Sequence, residues 1–148
     1  VQASALPELT RLSQDLGMTA FIAVLTQNHV VTLVSVEPKT DGAALVQRPG
    51  SSHALDAGAP GAAIRAQLGP AELEARGVAA PELFGDAARP YAKSCSQVLD
   101  GVSSIAVPLR VPGYAAASLG VVFVSRENDA GVAAALHRSA SLIEADLL

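Results

Sequence analysis

The chain has 148 residues, a formal net charge of −4 and no run of lysine or arginine, which argues against a surface built to neutralise a nucleic-acid backbone. Half of its residues are apolar (50%) but only 3% are aromatic and none is tryptophan, so the core of a single domain must come from Ala, Val, Leu and Ile. A lone cysteine, Cys95, allows no internal disulfide and fits a reducing compartment. No apolar run reaches the roughly 18 residues of a membrane span and no secretory signal is visible, so the cytoplasm is the expected setting.

Leu6, Leu9, Leu12 and Leu16 recur at helical spacing, and Gly17 follows where a left-handed cap belongs. From Thr19 the pattern becomes that of strands: "TAFIAVLT", polar "QNH", then "VVTLVSVE", an antiparallel hairpin. "PKTDG" reads as a turn and "AALVQ" as a short third strand. A helix is predicted from about Pro60 to Leu68, stopped at Gly69-Pro70, with weaker helical pieces over Ala71–Arg76 and Pro81–Ala88. "VSSIAVPLR" and "AAASLGVVFVS" flank Val111-Pro112-Gly113-Tyr114, whose Pro-Gly centre is the type II turn signature of a second hairpin. Val132, Leu136, Ala140, Ile143 and Leu147 form the apolar stripe of a last helix, with Asn128 or Asp129 as its N-cap. The order α-β-β-β-α…α-β-β-α predicts an α+β domain, an antiparallel sheet with helices packed on it.

The stretch "LDAGAPGAAIRAQL", residues 55 to 68, places two glycines and a proline within Gly58 to Gly61 at a helix entrance. Two readings stay open. Glycine permits close backbone approach and proline suits a first helical turn, which makes the stretch a tight loop. A helix N-terminus also leaves N–H groups without partners and carries partial positive charge, which can hold a small anion such as a carboxylate.

Three blocks resemble the C-terminal effector-binding domain of IclR-type bacterial transcriptional regulators. "LPELTRLSQDLGMTAFIAVLTQNHVVTLVSVE" is similar to the family's opening helix and hairpin. "LDAGAPGAAIRA" resembles its Leu-His-x-x-x-x-Gly-x-A entrance, with Gly61 on the family's glycine and Asp56 where histidine is commoner. "YAKSCSQVLDGVSSIAVPLR" resembles its Gly-Tyr-Ala…Gly-hydrophobic-x-x-Ile-Ala-Val-Pro block, with Gly101 and Pro108 in register.

The resemblance implies a GAF-like or profilin-like fold carrying a pocket for a small effector, often an organic acid. It covers nearly the whole chain as one effector-binding domain, residues 1–148, and the family's winged helix-turn-helix would precede Val1. The pocket positions it implies are Ala59, Pro60 and Gly61 at the helix entrance, Val102 and Ser104 on the following strand, and Ser94. Serine stands at both positions where some members carry an acid and a cysteine, which implies a less charged pocket. Phe123 and Ser125 share a face of the last strand by alternation, and His53, just ahead of the entrance, is a candidate donor to a carboxylate. The amides of Gly61 and Ala62, with the hydroxyls of Ser94 and Ser104, are the expected ligand donors.

The remaining features favour no chemistry of their own. His29, His53 and His137 have no neighbouring ligand at metal spacing, so no metal or cofactor is expected, and His29 and His137 are expected to be solvated. No serine sits in a nucleophile elbow, and Cys95 has only Lys93 nearby to lower its pKa, so nothing supports an enzyme. Glu72/Glu74 and Glu144/Asp146 read as solvated helix faces. Expected partners are a small-molecule effector, further copies of the chain in a dimer or tetramer, and DNA only through a preceding segment. The alternative is a stand-alone GAF-like ligand-binding or dimerisation module with no DNA partner.

Overall fold

In the computed structural model, which describes residues 2–38, 49–95, 102–124 and 128–147, the leucine-spaced opening segment is helix α1, Gln2–Leu16. It ends as its sequence predicts. Gly17 has φ 66°, and the Ser13 carbonyl accepts the N–H groups of both Gly17 (2.8 Å) and Met18 (3.2 Å). The buried Ser13 hydroxyl returns a bond to the Met18 carbonyl at 2.7 Å, tying the helix end to the strand that follows. Leu9 and Leu12 are buried and Leu16 packs against the same core, whereas Leu6 is exposed and Ala5 takes its place in the packed stripe.

Strands β1 (Thr19–Thr26) and β2 (His29–Val36) form the first hairpin. The predicted strand "AALVQ" and Gly42 of the "PKTDG" turn lie outside the described residues. β3 (Ser52–Ala54) pairs with β2. Helix α2 (Gly58–Arg65) and helix α3 (Pro70–Arg76) come next. Two i→i+3 bonds, Gln67 N–H to the Ile64 carbonyl and Leu68 N–H to that of Arg65, carry α2 into a turn at the place where the sequence predicted more helix. No helix forms over Pro81–Ala88. There Phe84 and Tyr91 exchange backbone hydrogen bonds of 2.9 and 3.1 Å and stack their rings 5.9 Å apart. The Asp86 carboxylate meanwhile takes the Ala88 N–H, the local bond by which Asp favours turns over helix interiors.

A strand with no counterpart in the sequence reading, β4 (Ala92–Cys95), pairs with β5 (Val102–Leu109). The second hairpin, β5 with β6 (Ala117–Val124), turns through Gly113 at φ 91° with the Tyr114 N–H bonded to the Val111 carbonyl. Helix α4, Asp129–Leu147, closes the chain. Asn128, not Asp129, is its cap, with Oδ1 accepting the Gly131 N–H, while Asp129 pairs with Lys93 of β4. The strand order is β3-β2-β1-β6-β5-β4, with every described neighbour antiparallel.

The two faces of this sheet differ in kind. Under α1 and α4 lie large aliphatic side chains: Ile22, Ile105, Leu119 and Phe123 from the strands against Leu9, Leu136 and Ile143 from the helices. Each contributes about 1.5–3 kcal/mol by burial, so this side supplies most of the stability. Under α2 the partners are alanines, with Ala59, Ala62 and Ala63 set against Ala92 and Ala106, while Phe21, Leu55 and Ile64 fill the space beside them. Glycine completes the close fit. A Cβ on Gly120 would stand 2.7 Å from the Phe21 ring, and one on Gly61 would stand 2.5 Å from the Leu55 carbonyl oxygen.

His137 departs from the sequence reading of a solvated side chain. On α4 it is half-buried, with Nε2 enclosed and without a hydrogen bond among the described residues. Burial pushes its pKa below 6.5; the backbone of Arg89 and Pro90 favours the proton, and the Arg89 charge opposes it.

Two expectations concern stability. Gly61→Ala gains up to about 1 kcal/mol of helix propensity but must displace the Leu55 carbonyl, and overpacking of this kind costs about 1–3 kcal/mol. A net loss in urea unfolding is therefore expected, and a stabilised variant would show that the α2 entrance is loose. For His137, the unfolded chain takes up a proton near pH 6.5 before the folded one does, so its contribution to stability is complete above that pH and is lost as pH falls. The fall in melting temperature from pH 7.5 to about 5.5 should be smaller for His137→Gln than for the parent.

Candidate functional site

The entrance of α2 is placed by three ties. The Ala59 N–H donates to the Ser94 hydroxyl on β4 at 3.0 Å. Behind it, Arg65 reaches back across the helix, giving Nη1–H to the Leu55 carbonyl at 2.7 Å and Nε–H to that of Ala79 at 3.0 Å. Burial lowers the Arg65 pKa, with Asp56 opposing the shift. At the far end Gln67 Nε2 donates to the carbonyls of Ala63 (3.1 Å) and Ala117 (2.6 Å), fastening α2 to β6.

Ser94 lies directly opposite Ser104 across the β4–β5 pair, and Ser104 lies opposite Val122 on β6. By strand alternation Val102, Ser104 and Ala106 face α2. The Ser104 hydroxyl is enclosed there without a hydrogen-bond partner among the described residues. A buried hydroxyl in that state costs about 1–3 kcal/mol, which an accepting or donating group of a ligand would recover. Ser94 keeps its own O–H available after accepting from Ala59. The Ala59–Ser94 bond thus sets the α2 entrance beside the Ser94–Ser104 pair, with Val122 opposite Ser104 on β6.

Of the predicted site residues, Ala59, Pro60, Ser94, Val102 and Ser104 are thus brought to one face. Gly61 sits in the same helix, buried, but its missing side chain answers the Leu55 carbonyl and not an open space. Its amide is engaged too. Ala57 is the N-cap residue, so its carbonyl takes the first intrahelical bond, from Gly61, and Ala62 follows within the ladder. The expectation that these two N–H groups face a ligand is therefore corrected: with Pro60 lacking an N–H, the amides outside the helical ladder are those of Gly58 and Ala59, and Ala59 is bonded to Ser94.

Two further positions lie away from this face. Phe123 is buried in the α1/α4 core on the opposite face of the sheet, because alternation puts Val122, not Phe123, under α2. His53 belongs to β3, the opposite edge strand from β4, and its Nδ1 lies 3.0 Å from the Ala54 carbonyl. Ser125 and Gly101 lie outside the described residues. Val122 and the alanine floor of Ala92 and Ala106 were not singled out in the sequence, where small residues carry no chemical signal.

Cys95 is exposed on the other face, its Sγ 3.6 Å from the Ser103 hydroxyl. Among the described residues no three His, Cys, Asp or Glu side chains converge as a metal site, and no helix is long and apolar enough to cross a membrane.

No protein-family model matches this sequence, and no curated protein does. Solved structures do match its fold. An IclR transcriptional regulator from Alicyclobacillus acidocaldarius superposes with a TM-score of 0.79 at 23% identity, over 99% of this chain and 67% of that one. An IclR homologue from Microbacterium hydrocarbonoxydans, complexed with 4-hydroxybenzoate, gives 0.79 at 22% identity, over 99% and 67%. The C-terminal domain of a Vibrio cholerae protein assigned as a transcriptional regulator gives 0.74 at 19% identity, over 94% of this chain and 93% of that one. The chain spans about two-thirds of the longer neighbours and nearly all of the isolated domain, and so has the fold of the C-terminal domain of IclR-family transcriptional regulators.

Proposed function

We propose that this chain is the ligand-sensing domain of an IclR-type regulator, and that the Ser94–Ser104 face beneath the α2 entrance receives a small organic effector bearing a carboxylate. The observation that carries the reading is the enclosed, unpartnered Ser104 hydroxyl opposite Ser94. Two O–H groups side by side suit the two acceptor oxygens of one carboxylate. The neighbour complexed with 4-hydroxybenzoate, itself an aromatic carboxylate, supports the ligand class.

In the whole protein the effector would act by preferring one arrangement of attached DNA-binding heads, since a ligand shifts such an equilibrium only through its different affinity for the two states. Regulators that read two-fold operators self-associate. We assign the homo-oligomer contact to the outer side of α4, where Leu142 is exposed while Ile143 is buried on the sheet.

Benzoate and 4-hydroxybenzoate are the probes for the site. An acid that binds should raise the melting temperature, and Ser104→Ala should weaken it about tenfold or more, the worth of one hydrogen bond to a charged group. Because Ser104→Ala also removes a buried hydroxyl without a partner, the variant should be at least as stable as the parent. A folded variant that binds as tightly as the parent would overturn the site. For assembly, sedimentation should show self-association that Leu142→Glu reduces; a parent that stays monomeric at high concentration counts against an α4 contact.

A further inference from the structure

We propose a second small-molecule site at the other end of α2, selective for an ammonium group carried on an apolar body. A cavity of about 680 Å³ opens between the β5–β6 turn, Gln67 two residues past α2 and the last turn of α4. That volume is typical of ligand pockets. Its apolar lining includes the buried side chains of Leu109, Val111 and Ala116 and the half-buried Leu147.

The polar lining decides the ligand's chemistry. Gln67 and Glu144 are the half-buried polar groups, and each is already committed on one side. Both Nε2 hydrogens of Gln67 are spent on the Ala63 and Ala117 carbonyls, so what it has left to offer is its oxygen. Glu144 Oε2 accepts the Arg110 backbone N–H at 2.8 Å, which fixes the carboxylate and leaves Oε1. Among the described residues Glu144 has no ion-pair partner. The fixed groups are thus acceptors only, one of them an uncompensated carboxylate beside an apolar floor. A ligand must bring donors and positive charge. Arg110 also lines the cavity but is exposed, so water screens its repulsion, and Tyr114, exposed too, brings to the lining a ring able to cover an apolar body.

This inference is independent of the α2-entrance site, from which it differs in sign of charge and in location. The test compares hexylammonium, 1-hexanol and hexanoate, which share an apolar body, titrated into the 148-residue chain with amide shifts followed by NMR. Hexylammonium should bind with shifts at Gln67, Tyr114 and Leu147, and more tightly than hexanol or hexanoate. Glu144→Gln retains a carbonyl for the Arg110 N–H and should weaken hexylammonium about fivefold, the worth of one partly exposed ion pair, while leaving hexanol unchanged. Arg110→Gln keeps the backbone bond and should hold or improve hexylammonium binding. The proposal is overturned if no probe binds, if hexanoate binds best, if the shifts fall at Ser94 and Ser104 instead, or if Glu144→Gln has no effect.

Discussion

The close seating of α2 on the sheet is the constraint from which the rest of this domain's polar architecture follows. Alanine against alanine lets the helix backbone approach the strands, but it buries little apolar area, and each Ala–Ala contact stabilises far less than a Leu or Ile in the opposite core. Position is therefore held by directed bonds: Ala59 to Ser94 at the entrance, Arg65 to Leu55 behind it, Gln67 to Ala117 at the exit. One face of the sheet supplies stability through α1 and α4. The other supplies placement.

Holding a helix by polar ties has a consequence for what can bind beside it. Each tie uses up some hydrogen-bonding capacity and leaves a defined remainder. At the entrance the remainder includes donors, the O–H of Ser94 and the O–H of Ser104, each on an oxygen that can also accept. At the exit it is acceptor capacity, the oxygen of Gln67 next to Glu144. The two ends of one eight-residue helix thus differ, hydroxyls that can donate at the entrance and acceptors only at the exit, and among the described residues no ion pair joins α2 to the sheet.

Much of this architecture was legible because long periodic segments bury one continuous face. The two hairpins and the long helices follow directly from β-branched alternation and from leucine or alanine at helical spacing. The errors have equally local causes. Over Pro81–Ala88 the average composition suits a helix, but Phe84, Gly85 and Tyr91 gain more by a bridge and a ring stack. The four residues of β4 are too few to show a period, and their pairing with β5 is a tertiary fact. Leu6 and Leu9 look alike in sequence, yet the small Ala5 takes the place beside the sheet and turns Leu6 outward. Alternation along a strand separates the faces on which Val122 and Phe123 lie, but phase alone does not say which helices cover which face.

At the glycine-rich entrance the backbone has fewer open donors than the motif suggests. Counting from Ala57 as the cap puts Pro60 at the third helical position, so two of the amides that usually make a helix N-terminus attractive to anions are a proline nitrogen and one already bonded to Ser94. A helix of eight residues with Arg65 bonded back to Leu55 has little field to add. Any acid held there must rely on serine hydroxyls for orientation and on Val102 and Val122 for burial. Neutral hydroxyls give weaker bonds to a carboxylate than a guanidinium fork would. Discrimination among effectors at such a site would then rest more on the shape of the apolar body than on the charge of its head.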